Sequence, residues 1–471
     1  MKKFDIAVLG AGPGGYVAAI RAAQSGRSVA LIEKGDIGGT CLNRGCIPSK
    51  ALLANAEVLH KIRRSEEFGI TVGDISFDYS KMHGRKQKVV EDIRNSLKGL
   101  IDSNNIKILR GYGKFTSPRE IKITGNTGDD VKSITATHTI IATGSEPMDI
   151  KAFPCDFKKV HNSTSILELT ALPKSLAIIG GGFIGCEFAS LFTELGVKTT
   201  IIEMLPEIVA TEGKDVSKAL ASAFKKKNIE ILTERTVEGI DHTESGVTVR
   251  LKGRTSIEVE MALVAVGRKL NTSDIGLENA GITLTEKKSI ATNARMETQV
   301  AGIYAIGDIT GKWLLAHVAS HQGLVAARNA CGENVTMHYN AVPSVIYTEP
   351  EIATVGLTLE KALENGYPAA IIGKYPFKAL GKSQATGETD GFAQVVIDKN
   401  TGQVLGGQVV GYGASSLIAE VALAIHNELT AECITDTIHA HPTIAEALAE
   451  AFFVARETPL HYPPKVKAKT L

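Results

Sequence analysis

The sequence has no long hydrophobic run. Nothing approaches the ~20 consecutive apolar residues of a membrane helix, which excludes a helical span. It has no excess of charge: 52 Lys and Arg stand against 51 Asp and Glu, so the net charge is +1. That balance leaves no electrostatic footprint for nucleic acid or an anionic membrane. It lacks the cysteine pattern of a secreted scaffold. The six cysteines are Cys41, Cys46, Cys155, Cys186, Cys331 and Cys433, and only the first two are closely spaced. No export signal is expected, because Lys2-Lys3 runs directly into a short strand-like Phe4–Leu9 followed by glycines. These absences predict a cytoplasmic protein. What is present is size and glycine. A chain of 471 residues exceeds one core and predicts about three domains. Its 46 glycines are concentrated in motifs rather than in linkers.

The stretch Gly38-Gly39-Thr40-Cys41-Leu42-Asn43-Arg44-Gly45-Cys46-Ile47-Pro48-Ser49-Lys50 holds the paired cysteines. A regular helix separates and splays such positions too far for a disulfide. A bond there requires a distorted first turn, which Gly45 and Pro48 can supply. A strained, accessible pair at a helix start suits redox chemistry, because the positive potential there favours thiolate. If helical geometry resumes after Cys46, Lys50 falls on the same face and adds to that potential. Idle thiols or half a zinc site are the alternatives. Zinc needs two more ligands, and the nearest histidine, His60, brings no pairing motif.

Residues 4 to 33 read as strand, glycine turn, helix and strand. Gly10-Ala11-Gly12-Pro13-Gly14-Gly15 opens a helix from Tyr16 to Gln24, Gly26 ends it, and Val29–Ile32 leads to Glu33. Glycines so placed permit a tight turn, close approach of a pyrophosphate and close helix–sheet packing. The helix start favours phosphate, and the acid meets a ribose hydroxyl. Residues 175 to 203 repeat the unit, with Gly180 to Gly185, a helix from Cys186 to Leu195, and Thr199–Ile202 before Glu203. Two units imply two dinucleotides. Glu203 predicts NAD rather than NADP. A carboxylate accepts from a free 2′-hydroxyl and repels a 2′-phosphate, and Met204-Leu205-Pro206-Glu207 brings no arginine.

Between and after these units the signals are plainer. Residues 61–105 predict a surface amphipathic helix. Residues 106–140 predict short antiparallel strands turning at Ser117-Pro118 and Gly125-Asn126. Pro147 and Pro154 mark a connection to a new domain. The strand-like Gly302–Gly307 ends on Asp308, placed to bind a polyol hydroxyl, and a helix follows over Leu314–Ala330. From Val342 onward the glycine motifs stop. Strands alternate around Gly391–Gly407, and helices are expected over Ser415–Leu429 and Thr443–Arg456. Pro442 pushes His441 out of helical geometry and presents its imidazole on a loop. Thr443-x-x-Glu446 matches a capping box, so Glu446 either caps its helix or orients His441. His439 and His441 lack the acidic or cysteine neighbours of a metal site, so no metal is expected. The basic tail Pro463–Leu471 is expected to be mobile.

Together GGTCLNRGCIPSK, the two glycine units, YAIGD and HAHPTIAE resemble, in order and over nearly the whole chain, the FAD-dependent pyridine nucleotide–disulfide oxidoreductases. The resemblance implies an α/β fold with two Rossmann-like dinucleotide-binding domains and a C-terminal α+β dimerisation domain. The implied bounds are 1–149 and 271–342 for FAD, 150–270 for NAD, and 343–471 for the interface domain. It implies that Gly10, Gly12, Gly15 and Glu33 hold the FAD pyrophosphate and ribose. Gly113 would lie by the adenine, Thr143, Gly144 and Ser145 beside the cofactor, Asp308 on the ribityl chain and Ala316 near the flavin ring. Gly180, Gly182, Gly185, Glu203, Val237 and Gly267 would line the NAD site, and Lys50 would sit near the flavin, paired with Glu187. The members it is most similar to oxidise dihydrolipoyl groups with NAD+. In them Cys41 would be the outer sulfur, Cys46 the inner one, and His441 the base, with Glu446 behind it. Implied partners are a second copy sharing the active site across the dimer, and lipoyl domains of 2-oxo acid dehydrogenase complexes. A glutathione reductase-like activity is opposed by Glu203, and by Ile184 where that enzyme carries a gating tyrosine. A catalytically silent docking subunit is opposed by the intact cysteines and His441.

Overall fold

The computed structural model describes residues 1–125, 131–253 and 255–463. Asn126 and the tail beyond Pro463 lie outside the described residues. The chain is α/β, with two doubly wound sheets and a C-terminal α+β part. In the first sheet the strands run in the order Lys107–Arg110, Val29–Glu33, Lys2–Leu9, Val131–Ile141, Glu120–Thr124, Tyr112–Ser117. The first four are parallel, and Ile303–Ala305 adds a further parallel strand along Val131–Ile141. In the second sheet Glu230–Leu232, Lys198–Ile202, Ser175–Ile179, Met261–Val264 and Val160–Asn162 are all parallel. Both sheets are buried on both faces, so their strands are continuous apolar runs such as Ile6–Leu9 and Leu176–Ile179. An antiparallel pair, Ser145–Pro147 with Arg268–Leu270, carries the chain out of the first unit and back. The C-terminal part is a five-stranded antiparallel sheet backed by Ala414–His426 and Glu446–Ala455. Among the described residues no helix is long and apolar enough to cross a membrane.

Several expected elements change. The two nucleotide helices begin at Pro13 and Phe183, three residues early, because proline is tolerated in a first turn and glycine there costs little. The continuous helix expected over 61–105 is interrupted: the helix Cys46–Arg63 ends on Arg64, a short 3-10 helix Ser65–Phe68 follows, and Tyr79–Ser103 is a separate helix. Gly69, at φ +74°, ends the 3-10 helix, and the Asp78 carboxylate starts Tyr79–Ser103 by accepting from the N–H groups of Ser80 and Lys81. Residues 106–140 are not a purely antiparallel meander. Lys107–Arg110 and Val131–Ile141 pair in parallel with the opening strands, a long-range choice that local turn signals do not carry.

Candidate active site

The two glycine turns are nearly the same object. Gly10 and Gly180 have φ of +106° and +109°. A Cβ on Gly15 would collide with the Gly10 carbonyl oxygen, and one on Gly185 with that of Gly180. A Cβ on Gly12 would meet nothing nearer than Gly39 Cα at 4.0 Å, and one on Gly182 nothing within 4 Å. Each turn thus leaves open space at its middle glycine, facing a helix start whose N–H groups no side chain caps. That is the cradle a pyrophosphate fits. Glu33 accepts from the N–H groups of Ala11 and Gly35, both at 2.7 Å. Glu203 accepts from Gly181 at 2.6 Å and Leu205 at 2.8 Å. Each acid is held beside its turn by backbone donors, ready for a ribose.

Gly180, Gly182, Glu203, Val237 and Gly267 border a cavity of about 960 Å³. Gly185 lies beneath the turn. Gly113 is a buried position on the strand Tyr112–Ser117, where a Cβ would press on the end of the Leu9 side chain, so core packing favours a small residue there. At the other strand ends, Thr143 Oγ1 donates to the Asn271 carbonyl at 2.8 Å. The Ser145 hydroxyl donates to the Asp308 carboxylate. Burial pushes the Asp308 carboxyl above its ordinary range, against that bond and the Arg268 charge. Arg268 donates through Nε to Ser145 Oγ at 2.7 Å. Sequence reasoning missed Arg268 as a functional neighbour. Its only local signal is its place after Gly267, where it opens the strand Arg268–Leu270. Ala316 is the first residue of the helix Ala316–Ala330.

The redox stretch lies against the first turn, because Gly39 packs so tightly on Gly12 that a Cβ would sit 2.6 Å from its Cα. A short helix, Gly39–Arg44, carries Cys41, and the next, Cys46–Arg63, begins on Cys46. Gly45 breaks them with non-helical angles, φ −146° and ψ −107°. The break sets the two thiols close enough to perturb one another. The half-buried Cys41 thiol is pushed well up, by Cys46 and by desolvation. Cys46 is held down to about 7, chiefly by Cys41 and then by the Lys50 charge, against desolvation and Glu187. Helical geometry resumes, so Lys50 stands one turn beyond Cys46. Its ammonium is 2.6 Å from Glu187 Oε2 and 4.6 Å from the Tyr347 ring centre. The other Glu187 oxygen accepts the Tyr347 N–H at 3.0 Å. Tyr347 was not foreseen, since no local pattern links it to Lys50.

His441 projects from its own chain, its side chain 78% exposed. Its Nδ1 is 2.8 Å from Glu446 Oε1, while Glu446 Oε2 accepts the Thr443 N–H at 2.8 Å. The helix begins at Glu446 itself, after Ala445, so the expected Thr443 cap does not form; Glu446 faces His441 with one oxygen and ties down the Thr443 N–H with the other. Burial would raise its carboxyl, but the Thr443 N–H and His441 hold it low. His439 is engaged elsewhere, with Glu420 Oε1 at 3.0 Å and the Thr437 carbonyl at 2.9 Å.

Residues 4–323 match the model of the pyridine nucleotide-disulphide oxidoreductase family, and residues 342–452 match that family's dimerisation domain. The dihydrolipoyl dehydrogenase of Chlamydia pneumoniae is 51% identical over 464 residues, covering 98% of this chain and 99% of that one. The enzyme of the same name from Geobacillus stearothermophilus is 40% identical over 457 residues, covering 96% of each. Among solved structures, LpdA from Mycobacterium tuberculosis aligns with a TM-score of 0.90 at 28% identity, covering 96% of this chain and 99% of that one. The HOCl-induced flavoprotein disulfide reductase RclA from Escherichia coli, as its Cu(II) complex, aligns at 0.86 and 28%, with the same coverage. Two glycine cradles, a thiol pair beside a lysine, and matches that span the chain agree: it belongs to the pyridine nucleotide-disulphide oxidoreductase family and ends in that family's dimerisation domain.

Proposed function

We propose that the chain is a dihydrolipoyl dehydrogenase. It oxidises protein-bound dihydrolipoamide to lipoamide and reduces NAD+ to NADH. The observation that carries this reading is the Cys41–Cys46 pair astride a broken helix start, beside a lysine held by the second nucleotide unit. Relatives bearing that name, at 38–51% identity over nearly the full chain, support the substrate. The cofactors are FAD and NAD. Gly10, Gly12, Gly15, Glu33, Gly113, Thr143, Gly144, Ser145, Asp308, Ala316 and Lys50 would hold FAD. Gly180, Gly182, Gly185, Glu187, Glu203, Val237 and Gly267 would hold NAD. Bound FAD supplies the two-electron relay, and NAD+ the final acceptor.

The chain's own residues carry the thiol chemistry. A dihydrolipoyl thiol is mostly protonated near neutral pH, and only its thiolate attacks a disulfide. His441 of one subunit takes that proton at Nε2, while Glu446 on Nδ1 fixes the tautomer and stabilises the imidazolium. The substrate thiolate attacks Cys41 of the Cys41–Cys46 disulfide. The bond between the cysteines breaks, and Cys46 leaves as a thiolate beside Lys50. The second substrate thiol then displaces Cys41, closing the lipoyl disulfide; its proton passes to the departing Cys41 sulfur, and the first proton stays on His441 opposite the Cys46 thiolate.

The same proposal includes domain bounds of 1–149 with 271–342, 150–270, and 343–471. The paired crossings at Ser145–Pro147 and Arg268–Leu270 support them. It also includes an active site shared by two subunits, with lipoyl domains of 2-oxo acid dehydrogenase complexes as partners. A cytoplasmic location fits six cysteines with a single close pair. The test mixes Cys41→Ser subunits with His441→Gln subunits, each inactive alone. A positioned base is worth roughly 10²–10⁴-fold, so either parent is nearly silent. Heterodimers should regain one working site in two, read as NADH production from dihydrolipoamide. No recovery despite proven subunit exchange would place base and disulfide in one chain.

A further inference from the structure

The ammonium of Lys50 is gripped from two sides. Glu187 Oε2 lies 2.6 Å away, and the centre of the Tyr347 ring lies 4.6 Å away. The three residues come from three parts of the chain. Lys50 is on the redox helix Cys46–Arg63, and Glu187 is on the helix Phe183–Glu194 of the second nucleotide unit. Tyr347 follows Ser344–Ile346, a strand of the C-terminal sheet. The main chain around Tyr347 is registered on the helix Phe183–Glu194. The Tyr347 N–H donates to Glu187 Oε1 at 3.0 Å, and the Glu349 N–H donates to Ser190 Oγ at 3.0 Å. Glu187 and Ser190 are about one turn apart, so both bonds fall along one face of that helix. The ring is thereby aimed by its own backbone. Among the described residues its hydroxyl has no hydrogen-bond partner, so what the side chain offers Lys50 is its aromatic face.

The two grips differ in charge. The titratable groups within reach of Cys46 are Cys41, Lys50, Glu187 and Tyr347. The Lys50 charge favours the Cys46 thiolate, whereas Glu187, which holds Lys50, opposes it. An aromatic face attracts an ammonium through its quadrupole and carries no net charge, so it can hold Lys50 without opposing the thiolate. Burial first, then Glu351, Glu187 and Cys46, push the Tyr347 phenol above its ordinary range, and the ring stays neutral where Cys46 titrates. We propose that Tyr347 is a positioning residue of the redox centre: its ring holds the Lys50 ammonium beside Cys46, and so ties the thiolate to the docking of the C-terminal sheet. This rests on the reading in which Cys46 leaves as a thiolate beside Lys50.

The test follows iodoacetamide labelling of Cys46 against pH, mapped by mass spectrometry, in flavin-loaded protein whose cysteine pair is reduced. Tyr347→Leu should raise the midpoint from about 7 by a few tenths of a unit. That is a roughly 2- to 5-fold change in the thiolate equilibrium, the scale of an exposed cation–π contact. Tyr347→Phe keeps the aromatic face and should leave the midpoint in place. Tyr347→Met, which also lacks a ring, carries the test if the leucine variant does not fold. In the Lys50→Gln protein, whose midpoint should already be higher, Tyr347→Leu should add nothing. No rise in the variants that lack a ring, an equal rise with Tyr347→Phe, or an equal rise in the Lys50→Gln protein would each overturn the proposal. A midpoint near ~8.5 in the unmutated protein, the ordinary thiol value, would instead remove the poised thiolate on which the proposal rests, and the inference with it.

Discussion

The first and second glycine units share one backbone and differ in what the chain lays over them. Both have the same left-handed opening glycine, the same collision beneath the last one, and an acid held by two backbone N–H groups. Over the first turn lies the redox helix, with Gly39 against Gly12. The first helix is also clamped by Ala316–Ala330, where a Cβ on Gly323 would sit 2.5 Å from the Gly14 oxygen. The second turn faces a broad cavity. Its helix carries Glu187 where the first carries Val17, and that single carboxylate reaches across to Lys50. The fingerprint specifies a dinucleotide. Whether it is kept or exchanged depends on the covering elements.

The largest expected effect breaks the shared part. Gly15→Ala and Gly185→Ala put the same methyl group onto the same carbonyl in the two units. Gly15→Ala should give protein without the visible flavin spectrum and without activity. Gly185→Ala should keep the flavin and lose NAD+ binding by calorimetry. Identical behaviour of the two variants would mean the units do not divide the cofactors.

A smaller effect separates the acids. Glu203→Arg removes a charge-assisted bond to a ribose and supplies a phosphate partner, so kcat/KM for NAD+ should fall roughly 10- to 100-fold relative to NADP+. Equal turnover with both nucleotides before mutation would remove Glu203 as the selector. Glu33→Arg should leave that ratio unchanged and lower flavin content instead.

The smallest effect tests the bridge between the units. Iodoacetamide labelling of Cys46 in the reduced protein, mapped by mass spectrometry, should rise as pH passes about 7. An ordinary thiol would rise near ~8.5. The thiolate is the reactive form, so labelling is low below that midpoint and full above it. Glu187→Gln removes the negative charge opposing the thiolate, so the midpoint should move to lower pH. An upward move would show that Glu187 acts mainly by holding Lys50 in place.

Much of this was legible before any coordinates. The glycine spacings, the acids at Glu33 and Glu203, the cysteine pair with Gly45 between, and Lys50 one turn on are constraints within a few residues or one βαβ unit. Steric exclusion at a turn and the 3.6-residue period act over that range, so sequence reports them. The break at Gly69 and the Asp78 cap were also local signals, and the helical spacing of the apolar residues around them hid both. Glu446 was undecided because its two oxygens serve two partners, and sequence offered each role singly.

The residue types and their local spacing by themselves determined two glycine turns with an acid beside each, and a cysteine pair with a lysine one turn beyond it. Tertiary structure alone decided which distant groups complete those sites. Glu187 meets Lys50 across 137 positions, a pairing that the family resemblance implied but no local spacing carries, while Tyr347 meets Glu187 across 160 and Arg268 meets Ser145 across 123. Trp313 borders the cavity with its indole stacked on Tyr339. Such contacts are set by how packed sheets and helices dock. Docking depends on the buried surface of whole domains, not on the identity of any short stretch.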